Sequence, residues 1–170
     1  MKKDSRVRKK KALPTEGDRS TLVPRIKTHR FTAALREMNI PEDQFPYTEP
    51  LVADLLVTYA FDLPGIFQMA SGAAIAELGI PLPEVRDIAV TNLKRQLPQI
   101  GFEGLGPIKR IVTGENLEAC TLLAGPVWDQ VGAEIDGDVV VAVPNRDVVL
   151  FCGSRSAEGV AALRAVSAEV

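Results

Sequence analysis

Two short runs constrain the fold more than anything else in this chain: residues 139–143 (VVVAV) and 148–152 (VVLFC). Both are rich in β-branched side chains and apolar at every position, as strands covered on both faces are. Between them stand Pro144, Asn145, Arg146 and Asp147, which is turn chemistry. The segment therefore predicts a hairpin over about 138–152, central to a sheet.

Upstream, Leu55, Val57, Tyr59 and Phe61 alternate with Leu56, Thr58 and Ala60, the period of a strand. Asp62-Leu63-Pro64-Gly65 then turns the chain, and Ile66 to Met69 returns it, giving a hairpin within about 51–70. Strand-like runs at 108–112 and 119–124 predict a third hairpin over about 107–124, while the glycine-rich stretch 101–106 reads as a loop. Residues 22–27 predict a strand with Pro24 at an edge, since proline has no N–H for a ladder. Pro41, Pro46 and Pro50 read as a rigid connector.

Helical spacing marks four further segments. Phe31, Ala34, Leu35 and Met38 predict a short helix, and Ser71 caps another that ends at Gly79. Val85, Ile88, Ala89, Leu93 and Leu97 form the apolar stripe of a helix over about 83–97. Ser156 caps a last helix over about 156–168, with Val160, Leu163, Val166 and Val170 facing inward; a shorter helix at 127–133 carries Trp128. Hairpins and helices without end-to-end βαβ alternation predict an α+β fold, mostly antiparallel, in one domain over 21–170.

The net charge of -2 conceals a division. Residues 1–30 hold eleven Lys/Arg against Asp4, Glu16 and Asp18, whereas the remainder holds nine against nineteen Asp/Glu. The tail 1–20, with seven basic residues in 2–11, has too little apolar surface to offset ordering entropy and is expected to be disordered. It suits weak nucleic-acid contact through residues 2–11, without aromatic side chains for stacking. The acidic remainder suits a protein partner with a basic surface.

No apolar run approaches the roughly 20 residues of a membrane span, and no secretory leader is legible, so the expected location is cytoplasmic. Cys120 and Cys152 fall in segments read as strands and are expected to be reduced core residues. One histidine, His29, and no Cys-x-x-C pair give too few ligands for structural zinc; no cofactor is implied, and only carboxylate sites for Mg²⁺ or Ca²⁺ stay open.

Asn92 lies seven residues after Val85, hence on the buried side of its helix, where an amide must find partners. Either it bonds a neighbouring backbone, or it faces a pocket near the 144–147 turn; Asp62, Asn92, Asn145, Arg146 and Asp147 are the candidate ligand or partner surface. Gly153, Ser154, Arg155 and Ser156 join a strand to a helix start, where free N–H groups and the helix dipole favour an anion.

Residues 59–63 (YAFDL), Asn92-Leu93 with Leu97-Pro98, and residues 141–144 (VAVP) with Asp147-Val148 stand in an order that resembles the YtpQ-like proteins, a family built on domain of unknown function 1444. The resemblance covers about residues 21–165, with the helical segment before the last hairpin compressed to 125–137. It implies a cytosolic bacterial domain and no assigned chemistry. Three function classes follow: a protein-binding or regulatory module with an acidic surface, a ligand-binding protein or enzyme with a pocket near Asn92 and 144–147, and nucleic-acid association through the tail.

Overall fold

The computed structural model describes residues 17–97, 100–114 and 116–168; the basic run 2–11 and Val170 lie outside them. Strand β1 (Leu22–Thr28) leads into helix α1 (His29–Glu37). Strands β2 (Thr48–Val52), β3 (Leu55–Leu63) and β4 (Ile66–Met69) follow, then helices α2 (Gly72–Glu77) and α3 (Val85–Gln96). The second half runs β5 (Gly101–Leu105), β6 (Ile108–Val112), α4 (Gly125–Glu134), β7 (Val139–Asn145), β8 (Val148–Gly153) and α5 (Ala157–Ala168). The fold is α+β, and every strand pairing is antiparallel.

Instead of one sheet the described residues form two, each of four strands. In the first, β3 lies between β1 and a second flank that β2 and β4 share. In the second the order is β5-β6-β8-β7, so β8 is central as expected while β7 is an edge. The apolar alternation of β8 explains how the layers meet. Val149 and Phe151 enter a core shared with Leu22, Val57 and Phe61 of the first sheet, whereas Leu150 and Cys152 face the other way, onto Leu163 of α5. Each such side chain contributes about 1.5–3 kcal/mol by leaving water. The tight seating of α5 requires Gly159, where a Cβ would stand 2.8 Å from the carbonyl oxygen of Pro107.

Several expectations need correction. The hairpin foreseen over 107–124 is β5–β6, spanning 101–112, so the glycine-rich stretch is a strand and not a loop. Residues Glu118–Leu123, with Cys120 among them, form a 3-10 helix. The reason is local: Glu118 Oε1 accepts from Thr113 N–H at 3.1 Å and from its hydroxyl, pulling the chain into a turn before a strand can propagate. The proline-rich connector contains β2, with Pro50 inside it. Order begins before residue 21, because Asp18 to Thr21 form a turn closed by Thr21 N–H to Asp18 O.

Helix α3 fixes the first sheet at both outer strands. The Asp62 N–H donates to Thr21 O, so alternation along β1 turns the backbone groups of Leu22, Pro24 and Ile26 away from β3. Asn92 Nδ2 donates to Leu22 O at 2.9 Å and to Arg19 O at 2.8 Å. Pro24 has no N–H to satisfy, and its carbonyl accepts from Cys120 Sγ at 3.3 Å. Of the two readings of Asn92, backbone bonding therefore describes its amide nitrogen.

Six residues back along α3, Arg86 Nη2 donates to Pro50 O on β2, and its guanidinium pairs with Glu49 at 2.8 Å. That spacing is about 9 Å of helix, matching two strand spacings of about 4.8 Å. Glu49 also accepts from Tyr59 Oη at 2.8 Å; burial, followed by that hydrogen bond and the Glu49 charge, pushes the phenol above its ordinary range. Asn92→Ala strands two carbonyl oxygens at the sheet edge and is expected to cost about 2–4 kcal/mol. Urea denaturation at unchanged slope measures this, and a loss under about 0.5 kcal/mol would contradict it.

Candidate functional site

A sheet edge offers unpaired N–H and C=O groups to any strand that reaches it. In the first sheet β1 is sealed by Asn92, Pro24 and Cys120, and β2 by Pro50 with Arg86. In the second, β5 carries an exposed Glu103 at mid-strand, and β7 breaks register between Ala142 and Asn145, where Pro144 sits. Strand β4 has none of these devices: its sequence is Ile-Phe-Gln-Met, and among the described residues no strand pairs with it except β3.

The β3–β4 loop aims that edge outward. Pro64 and Gly65, the latter at φ +78°, occupy the two central positions of the turn, the pattern of a type II turn. The two-residue loop makes Leu63–Ile66 and Phe61–Gln68 the bonded pairs, in step with Ala70 N–H donating to Tyr59 O. The backbone groups of Phe67 and Met69 therefore point away from β3. Ile66 is 62% exposed and Phe67 39%, both high for large apolar side chains. Beneath Phe67 lies the buried Arg25, its guanidinium carbon 4.4 Å from the ring centroid.

The predicted residues scatter. Asp62 pairs in register with Phe67 and so belongs to this edge. Asn92 sits at the start of β1. The 145–147 turn sits at its other end, where Arg146 and Asp147 act electrostatically on Lys27 and Arg146 O accepts from Ala119 N–H at 3.1 Å. From Leu22 to Lys27 is about 17 Å of strand, so no single pocket joins Asn92 to that turn. Within the turn, Asn145 Oδ1 accepts from Asp147 N–H at 2.9 Å and Arg146 Nε meets Asp147 at 3.2 Å, which is turn maintenance.

In the 153–156 segment the backbone N–H donors of residues 154–156 are occupied. Ser154, Arg155 and Ser156 N–H groups donate to Asp138 O, Asp136 O and Gly153 O. Ser154 Oγ accepts from Asp138 N–H and Ser156 Oγ from Gly159 N–H, while Arg155 Nη1 pairs with Asp136 at 2.7 Å. Glu158 supplies negative charge to the first turn of α5. A Cβ at Gly153 would collide with the Asp136 carbonyl oxygen, which shows how tightly the loop is packed.

Both thiols are buried, and desolvation pushes each above its ordinary range, away from nucleophile behaviour. Among the described residues no group of three or more His, Cys, Asp or Glu side chains gathers to hold a metal, and no helix is long and apolar enough to cross a membrane. No family model, curated protein or solved structure matches this chain.

The open edge escaped sequence reasoning because a returning strand is legible while the absence of a neighbour beyond it is not. Its one local signal is a short strand with neither proline nor charge. Because the backbone N–H donors of residues 154–156 are engaged, Arg155→Ala is expected to leave the response of the melting temperature to sulfate or phosphate unchanged; a lost or weakened response in a thermal scan would place an anion there.

Proposed function

We propose that this protein is a binding module that takes an extended segment of a partner protein onto β4 by strand addition. The observation that carries this reading is the contrast between β4 and the other outer strands: among the described residues it alone lacks proline, charge, bulge or cover. The backbone groups of Phe67 and Met69 supply the main-chain bonds, and Ile66 and Phe67 supply apolar contacts on opposite faces of the hairpin. Asp62 beside Phe67, together with the ten-charge acidic excess over residues 31–170, selects a partner segment with apolar alternation and flanking Lys or Arg. The resemblance to the YtpQ-like proteins implies no chemistry and leaves this reading to rest on the edge.

With only four residues in β4, few main-chain bonds form, each contributing about 0.5–1.5 kcal/mol, so the affinity belongs to the range of a reversible regulatory contact. Met69→Pro removes an outward N–H without disturbing the bonds to β3, a position where an edge strand tolerates proline. Quantitative affinity capture from host lysate with the full chain is expected to retain one protein stoichiometrically, to lose it with Met69→Pro, and to keep it with Arg155→Ala. Retention by Met69→Pro would overturn the reading. Concentration-dependent dimerisation of the purified chain, abolished by the same substitution, would show that a second copy occupies the edge instead.

A further inference from the structure

Away from β4, a cleft of about 400 Å³ opens between the Asp18–Thr21 turn and α3, lined by Arg19, Ser20, Asp87, Ile88, Thr91, Asn92 and Arg95. Its size falls within the range of small-molecule sites, about 300–1,000 Å³. Asn92 assembles it. The amide nitrogen holds the carbonyl of Arg19, and the amide oxygen meets Arg95 Nη1 at 3.4 Å, so one side chain positions two arginines on the same opening.

Their guanidiniums are available. Among the described residues that of Arg19 has no partner, and Arg95 uses one long contact of its five donors. The adjacent Asp18 carboxylate is engaged within its own turn and forms no ion pair with either guanidinium among the described residues. It accepts from Ser20 N–H and Oγ at 2.7 Å and from Thr21 N–H, and these bonds, led by the Ser20 hydroxyl, hold its pKa below the ordinary carboxylate value. On α3, Asp87, Thr91 and Arg95 recur every fourth residue and share one face. Asp87 stands at the far end of that row, about 12 Å of helix from Arg95, with no ion-pair partner among the described residues. The half-buried Ile88 is the apolar member of the lining.

We infer that this cleft binds a small carboxylic acid bearing an amino or hydroxyl group several atoms from the carboxylate. The planar forks of Arg19 and Arg95 receive the carboxylate. The Thr91 hydroxyl accompanies it, and Asp87 receives the amino or hydroxyl end. This site is separate from the β4 edge, so Met69→Pro is expected to bind the ligand normally and the two proposals can fail independently.

The test is thermal shift and calorimetry on the full chain with named probes: 4-aminobutyrate, 6-aminohexanoate, 4-hydroxybutyrate and inorganic phosphate. At least one amino or hydroxy acid is expected to raise the melting temperature saturably. Arg19→Gln and Arg95→Gln are each expected to weaken it about tenfold or more, and Asp87→Asn to weaken the amino acids more than 4-hydroxybutyrate. Far-UV circular dichroism checks folding, and Arg19→Lys and Arg95→Lys serve if a glutamine variant does not fold, with intermediate weakening expected. Absence of a saturable shift with every organic probe would overturn the inference. So would equal binding by the arginine variants, or a response to inorganic phosphate alone.

Discussion

The side-chain amide of Asn92 has two hydrogens, and both go to carbonyl oxygens, of Arg19 and Leu22, near the open side of β1. Much of the remaining arrangement depends on this. With Leu22 O satisfied, β1 can form the outer strand of its sheet without exposing a template, and Leu22 itself can bury its side chain against Val57 and Phe61. Arg86, six residues nearer the start of α3, does for β2 what Asn92 does for β1. One helix thereby spans the sheet and seals it on two sides, with Val85, Ala89 and Leu93 packed beneath. A leucine at position 92 would bury well yet leave two acceptors unbonded, which explains a polar residue in the middle of an apolar stripe.

The same closure defines what stays open. Because β2 ends after covering the first part of β3, its second part is covered by β4, and among the described residues no strand lies past β4. The open strand, the apolar hairpin tip and Asp62 therefore fall together as a consequence of strand lengths. The Asn92 anchor has a second effect at the other end of the sheet: by holding the Asp18–Thr21 turn against α3 it shapes the cleft between Arg19 and Arg95. A residue chosen for structural reasons thus prepares both surfaces.

Where periodicity was strong, the sequence was readable. The alternation of β3 and the two valine-rich runs placed strands within a residue or two, and the Ser71 and Ser156 caps and the stripe on α3 placed helices. The failures came where local chemistry outweighed pattern. Residues 119–124 look like a strand, but the Glu118 carboxylate bonded to Thr113 commits them to helical turns. The glycines of β5 look like a loop, yet a strand at a sheet edge accepts residues with no side chain to pack. Of the candidate site residues, Asn92 was legible because a polar side chain on an apolar face must have partners. Arg19 was not, since it falls in a stretch whose composition reads as a tail, and only the turn at Asp18 draws it into the fold.

Residue-resolved amide hydrogen exchange on the full chain addresses the central claim most directly, namely that α3 and its neighbours seal β1 while β4 stays open. Ile26 and Phe67 both turn their N–H groups away from β3, but Ile26 is buried beside the segment whose Cys120 Sγ bonds Pro24 O, whereas the Phe67 N–H meets no described residue. The account predicts slow exchange at Ile26 and at the β3-bonded Gln68, and fast exchange at Phe67 and Met69. Protection of Phe67 and Met69 equal to that of Gln68 in the monomer, or rapid exchange at Ile26, would contradict it.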